Sequence, residues 1–130
     1  GNPLAMAAAR VSLGRVLTPD AYDHLGRLET ILLEGVKGAM ARHGLPGDAV
    51  GIRSKGVALL GATSPITDFV SWARNLDPKL NRLAYLYGIN RGIYTAPGRD
   101  EEWTLSVTHT EEDVRRYVAV FEELCAELAA

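Results

Sequence analysis

Asp48-Ala49-Val50-Gly51-Ile52-Arg53-Ser54-Lys55-Gly56-Val57-Ala58-Leu59-Leu60 is the stretch in which this chain changes period. Before it, apolar residues recur three and four apart, as on one face of a helix. Within it, two short apolar runs rich in Val, Ile and Leu, residues 49–52 and 57–60, stand between glycines and polar residues. Such runs read as strands. They are joined at Ser54-Lys55-Gly56 or continue through a kink. This interruption makes the chain α+β rather than all-helical.

Upstream lie two helices. Residues 3–17 are rich in helix formers, and Pro3 suits a first turn because its missing N–H would be unbonded there. Thr18-Pro19-Asp20 ends that helix and begins another, with a cap, a preset φ and a carboxylate at the positive end of the dipole. From Tyr22 onward, Leu25, Leu28, Ile31, Leu32, Val36, Ala39 and Met40 share one face. Gly44, followed by Leu45-Pro46-Gly47, stops this helix. Downstream, residues 66–73 and 78–87 are predicted as helices, the second ending at Gly88. Residues 92–94 and 103–107 are predicted as strands, with Ala96-Pro97-Gly98-Arg99-Asp100 as a turn-rich loop between them. Thr110-Glu111-Glu112-Asp113 is a helix start, a capping threonine with a carboxylate three residues on. Val114, Tyr117, Val118, Phe121, Leu124, Cys125 and Leu128 form the apolar face of that last helix. The predicted architecture is a small, mainly antiparallel sheet with helices packed on one face.

With 130 residues, 47% of them hydrophobic, the chain can bury one core. A net charge of -2 gives no electrostatic reason to expect nucleic acid or an anionic membrane as partner. One cysteine, Cys125, rules out an internal disulfide, and three scattered histidines suggest no metal site. A soluble, cytoplasmic protein is expected.

Two blocks carry a resemblance. Gly1-Asn2-Pro3-Leu4-Ala5-Met6-Ala7-Ala8-Ala9-Arg10 resembles the segment opening the helix that links large and small domains in class III, fold type I aminotransferases. Residues 91–117, RGIYTAPGRDEEWTLSVTHTEEDVRRY, are similar to the pattern near the end of the glutamate-1-semialdehyde aminomutase branch of that family. The predicted elements between them come in matching order. The resemblance implies a C-terminal small domain at residues 18–130, preceded by a linker helix at 1–17 from a large domain outside this chain. It implies pyridoxal 5'-phosphate as the larger protein's cofactor, a homodimer, and a small amino acid or amine as substrate. It also places the Schiff-base lysine upstream of Gly1. This stretch alone is therefore expected to bind no cofactor and to be inactive, with its chemistry lying elsewhere. Lys37, Lys55 and Lys79 all read as solvent-facing, whereas a Schiff-base lysine must be desolvated.

Glu101 falls where members of that branch carry a glutamate near the substrate, and could orient an ammonium or relay a proton. It also stands in an acidic run with Asp100 and Glu102, which is the pattern of a solvated loop. Ser106 occupies the strand position where many aminotransferases place an arginine that grips an α-carboxylate. The substitution favours the aminomutase-like branch or an amine substrate. Arg99 and Arg91 flank the loop and are the residues that could substitute, although arginines there are more often surface charges. Substrate binding is thus assigned to Glu101, Ser106 and Arg99. His109 is read as fixing the turn before the last helix, Trp72 and Trp103 as core, and Cys125 as inert. An ω-amine transaminase and a free-standing, non-catalytic α+β interaction module are the alternatives.

Overall fold

Two helix-end signals, Thr18 and Gly44, frame the longest helix, and around it the rest is assembled. A computed structural model of the chain describes residues 1–96 and 101–130, with the backbone alone of Glu101 and Glu102. Helix α1 (Pro3–Val11) is capped by Asn2, whose side chain accepts the Leu4 N–H at 2.9 Å, and it runs on into a π-helical turn at Ser12–Val16. Thr18 Oγ accepts the Ala21 N–H at 3.3 Å and starts α2 (Pro19–Arg42). Gly44, at φ 65°, closes α2, with the Leu45 N–H donating to the Met40 carbonyl at 3.0 Å. Both helices and their break at Thr18 follow the sequence pattern.

Strands β1 (Gly47–Ile52) and β2 (Lys55–Leu60) pair antiparallel, and β3 (Glu101–Thr104) adds to β2, giving the order β1-β2-β3. The hairpin turns at Arg53-Ser54, with Arg53 at φ 55°, because Lys55 and Gly56 are used pairing with Ile52 and Gly51. Ala49, Ala58, Leu60 and Trp103 join one apolar core with Leu25, Leu28, Leu32 and Val36 of α2. Val114, Phe121, Leu124 and Cys125 of α5 (Glu111–Ala129) complete it. Helix α2 lies along β1 and β2, α4 along β2 and β3, and α5 packs against α2 and α4, the small antiparallel sheet with packed helices that was predicted. At the α2–α5 crossing Gly35 faces Val118, and a Cβ there would overlap the valine methyls.

Three boundaries differ from the sequence reading. Helix α3 (Phe69–Asn75) begins three residues later than predicted, because Asp68 and Ser71 form a reciprocal capping box. Helix α4 (Pro78–Asn90) passes through Gly88 and is followed, after its Arg91 cap, by Gly92 at φ 78°. There the Gly92 N–H donates to the Ile89 carbonyl at 3.0 Å and the Ile93 N–H to the Gly88 carbonyl at 2.9 Å. Those donors close the helix, so residues 92–94 form no strand. The last strand is Glu101–Thr104 rather than 103–107; the Leu105 N–H still reaches the Ser54 carbonyl at 2.6 Å, and the chain then turns.

Candidate functional site

The corner between β3 and α5 is built by short polar side chains. The Ser106 N–H donates to His109 Nδ1 at 3.0 Å. Ser106 Oγ lies 2.7 Å from the Thr108 hydroxyl and 3.1 Å from the same Nδ1. His24 Nε2, on α2, donates to the His109 carbonyl at 2.8 Å and ties the corner to the long helix. One turn later Asp113 accepts both the Thr110 N–H and its hydroxyl at 2.8 Å; the backbone bond first, then the hydroxyl, holds this carboxyl below its ordinary range. His109 therefore fixes the turn, as its position before the cap predicts. The role of His24 was not legible, since nothing in a lone helical histidine announces a partner 85 residues away.

Of the residues assigned to substrate, Arg99 lies outside the described residues. Glu101 is placed by its backbone in β3, opposite Ala58. Ser106 follows the strand's end, exposed, its hydroxyl engaged with Thr108 and His109. Arg91, the other candidate for a carboxylate, is committed elsewhere. Its Nε donates to Glu123 at 2.9 Å, its Nη2 approaches Glu127 at 3.4 Å, and its guanidinium sits 3.4 Å from the Tyr87 ring centre. A cavity of about 420 Å³ opens beside this corner, bounded by Ile93, Tyr94, Trp103, Leu105, His109 and Arg116. Trp103 is buried over Gly56 and edge-on to Tyr117 at 6.1 Å, and its Nε1 has no hydrogen-bond partner among the described residues. Trp103 is thus core as expected. Trp72 is not; it is half-buried and stacks on exposed Phe69 at 5.3 Å.

All three lysines are exposed, and Lys37 pairs with Asp48 at 3.1 Å. None is the desolvated amine that pyridoxal phosphate would need, so the residues present here do not fit that cofactor. Cys125 is fully buried, and burial pushes its thiol up to about 11, out of the nucleophilic range. Among the described residues no three His, Cys, Asp or Glu side chains cluster to hold a metal, and no helix is long and apolar enough to cross a membrane.

This layered arrangement is that of the C-terminal domain of an aminotransferase. It overlays a glutamate-1-semialdehyde aminomutase from Pseudomonas aeruginosa PAO1 with a TM-score of 0.88 at 24% identity, covering 100% of this chain and 28% of that one. A β-phenylalanine aminotransferase from Variovorax paradoxus gives 0.81 at 24% identity over 93% of this chain and 27% of that one. In sequence, glutamate-1-semialdehyde 2,1-aminomutase 2 of Staphylococcus saprophyticus is 31% identical over 122 residues, 94% of this chain and 28% of that protein. The corresponding enzyme 1 of Staphylococcus carnosus is 31% identical over 123 residues. Over nearly its whole length the chain is homologous to the C-terminal part of glutamate-1-semialdehyde aminomutases and class III transaminases. It spans 28% of the length of the curated relatives it matches. No protein-family model matches it.

Proposed function

We propose that this chain works as the small domain of a pyridoxal-phosphate-dependent aminomutase or aminotransferase, closing one wall of the substrate cleft and forming part of a dimer surface. The observation that carries the reading is identity of 31% sustained over 94% of the chain. A fold that coincides with the matching part of an aminomutase supports it. Helix α1 supports it further. Leu4, Met6 and Val11, with Leu13 of the π-helical turn that follows, are each at least half exposed, and no residue of either is buried, as suits a linker helix that leans on another body. On this reading residues 1–17 are that linker and 18–130 the domain.

Pyridoxal phosphate, held by the rest of the protein, supplies the electron sink for moving an amino group. This chain positions substrate. Glu101 orients the substrate ammonium or exchanges a proton with it, and Arg99, two residues earlier in the sequence, is the second charged residue assigned to substrate. The Ser106 position offers no fork for an α-carboxylate, which favours an amino aldehyde or amine over a generic α-amino acid.

The test uses the intact protein that carries this chain and, separately, these 130 residues. Both are given pyridoxal phosphate and then glutamate-1-semialdehyde, with and without a keto acid. The intact protein should bind the cofactor and isomerise the substrate with no keto acid added, and the 130 residues alone should do neither. Turnover that requires the keto acid would make it an ω-amine transaminase. An intact protein that neither binds the cofactor nor moves an amino group would leave a non-catalytic interaction module.

A further inference from the structure

Residues 62–76 are attached to the rest of the molecule in an unusual way. Only Ala62 and Asn75 in this segment are buried. The helix it contains, α3, buries one polar residue, while Phe69 and Val70 on the same helix are 75% and 53% exposed. A helix normally docks through an apolar stripe; this one does not.

Instead the segment closes on itself. Asn75 Oδ1 accepts the Thr63 N–H at 2.9 Å, and Asn75 Nδ2 donates to Ser64 Oγ at 3.0 Å and to the Ser71 carbonyl at 2.8 Å. The Asp68–Ser71 capping box completes a loop whose hydrogen bonds are internal. The sheet reaches it through Asp48. That carboxylate accepts the Ile66 N–H at 3.0 Å, and is itself held by the Ala49 N–H at 2.8 Å and by Lys37 of α2 at 3.1 Å. Each end is marked by a change of backbone. Gly61 has φ 85° and is anchored to the Pro46 carbonyl at 2.8 Å, and Asp77-Pro78 restarts the chain as the cap and first residue of α4.

Opposite Asp48 in the sheet stands a buried leucine, Leu59. Leu59 points to the face of the sheet opposite Ala58, is 2% exposed, and lies outside the main core, in a crevice shared with Asp77 and Asn81. We infer that residues 62–76 form a flap that opens as one unit about Gly61 and Asp77-Pro78, with the Asp48 carboxylate on the Ile66 N–H as its latch. Opening breaks the Asp48–Ile66 hydrogen bond and moves the stacked Phe69–Trp72 pair with the segment. Segments with little apolar burial and exposed backbone hydrogen bonds are those that open locally at small cost.

Amide hydrogen exchange on the intact protein tests this. Amides of residues 63–76 should exchange faster than those in the middle turns of α2 and α5. Asp48→Ala should accelerate residues 63–76 by about tenfold, the effect of one lost charge-assisted hydrogen bond, and leave α5 within about twofold. Lys37→Met, which removes the latch's charge partner from an exposed position, should give the same regional pattern at smaller amplitude and serves if Asp48→Ala fails to fold. Acceleration confined to 63–76 supports the flap. Core-level protection of 63–76, no acceleration in either variant, or a uniform rise across α2, α5 and the segment would overturn it.

Discussion

Single residues at the β3–α5 corner separate a structural task from a chemical one. Ser106 spends its hydroxyl on Thr108 and His109, so Ser106→Ala in the intact protein should cost about 1 kcal/mol of stability and leave kcat nearly unchanged. Glu101 is different. Glu101→Gln should lower kcat by about a hundredfold if that carboxylate moves a proton. An unchanged kcat in steady-state assays would return it to the solvated acidic run. Gly92 carries a purely conformational requirement, since its φ of 78° is the mirror-handed region that a side chain resists. Gly92→Ala should cost about 1–2 kcal/mol in urea unfolding, with no effect on cofactor binding.

Among the elements, what could be read in advance was whatever depends on local backbone chemistry. The Thr18 and Thr110 caps, the Gly44 stop and the apolar faces of α2 and α5 were all visible, because each is written within a few adjacent residues. The strand expected at residues 92–94 failed for a reason that pattern cannot supply. A β-branched residue and an aromatic after a glycine favour extended backbone, but here the Gly92 and Ile93 N–H groups are consumed in closing α4. The flap was equally hidden, because Asp48 and Ile66 stand 18 residues apart and Asn75 looks like any polar helix residue. Of the candidate site, the turn-fixing role of His109 was legible, whereas the diversion of Arg91 into Glu123, Glu127 and Tyr87 depends on where α5 lies. The α2–α5 crossing offers a sharp check on packing. Gly35→Ala should destabilise by about 1–3 kcal/mol, and adding Val118→Ala should recover part of that loss, because the two changes meet at one contact. Equal, additive losses in a double-mutant cycle would mean that the helices separate instead.

Across the fold, the carboxylates set the response to acid. Burial pushes Asp48 up, but the Ile66 N–H, Lys37 and the Ala49 N–H together outweigh it and leave the carboxyl below its ordinary range. Glu122 is held low chiefly by Arg42, then by His43, despite partial burial. A carboxyl whose folded value is depressed stabilises the fold above its unfolded value and loses that contribution as pH falls through the folded one. The urea midpoint should therefore be flat with respect to these groups near neutrality and fall below about pH 4. Asp48→Asn and Glu122→Gln should each shallow that acid limb, and a limb of unchanged steepness would show that other groups govern it. The linker reading of α1 can be checked the same way. A chain beginning at Thr18 should unfold at nearly the midpoint of the longer one, since residues 1–16 bury nothing here.

Cys125 gives the molecule a built-in clock. It is the chain's one thiol, it has no exposed surface, and its sulfur holds its proton up to about pH 11. An alkylating reagent can therefore mark a molecule only after α5 has left the core, and each unfolding event adds a single mass increment. With enough reagent that alkylation outpaces refolding, the rate at which that increment accumulates reads the lifetime of the native state, with no dye, tag or substitution.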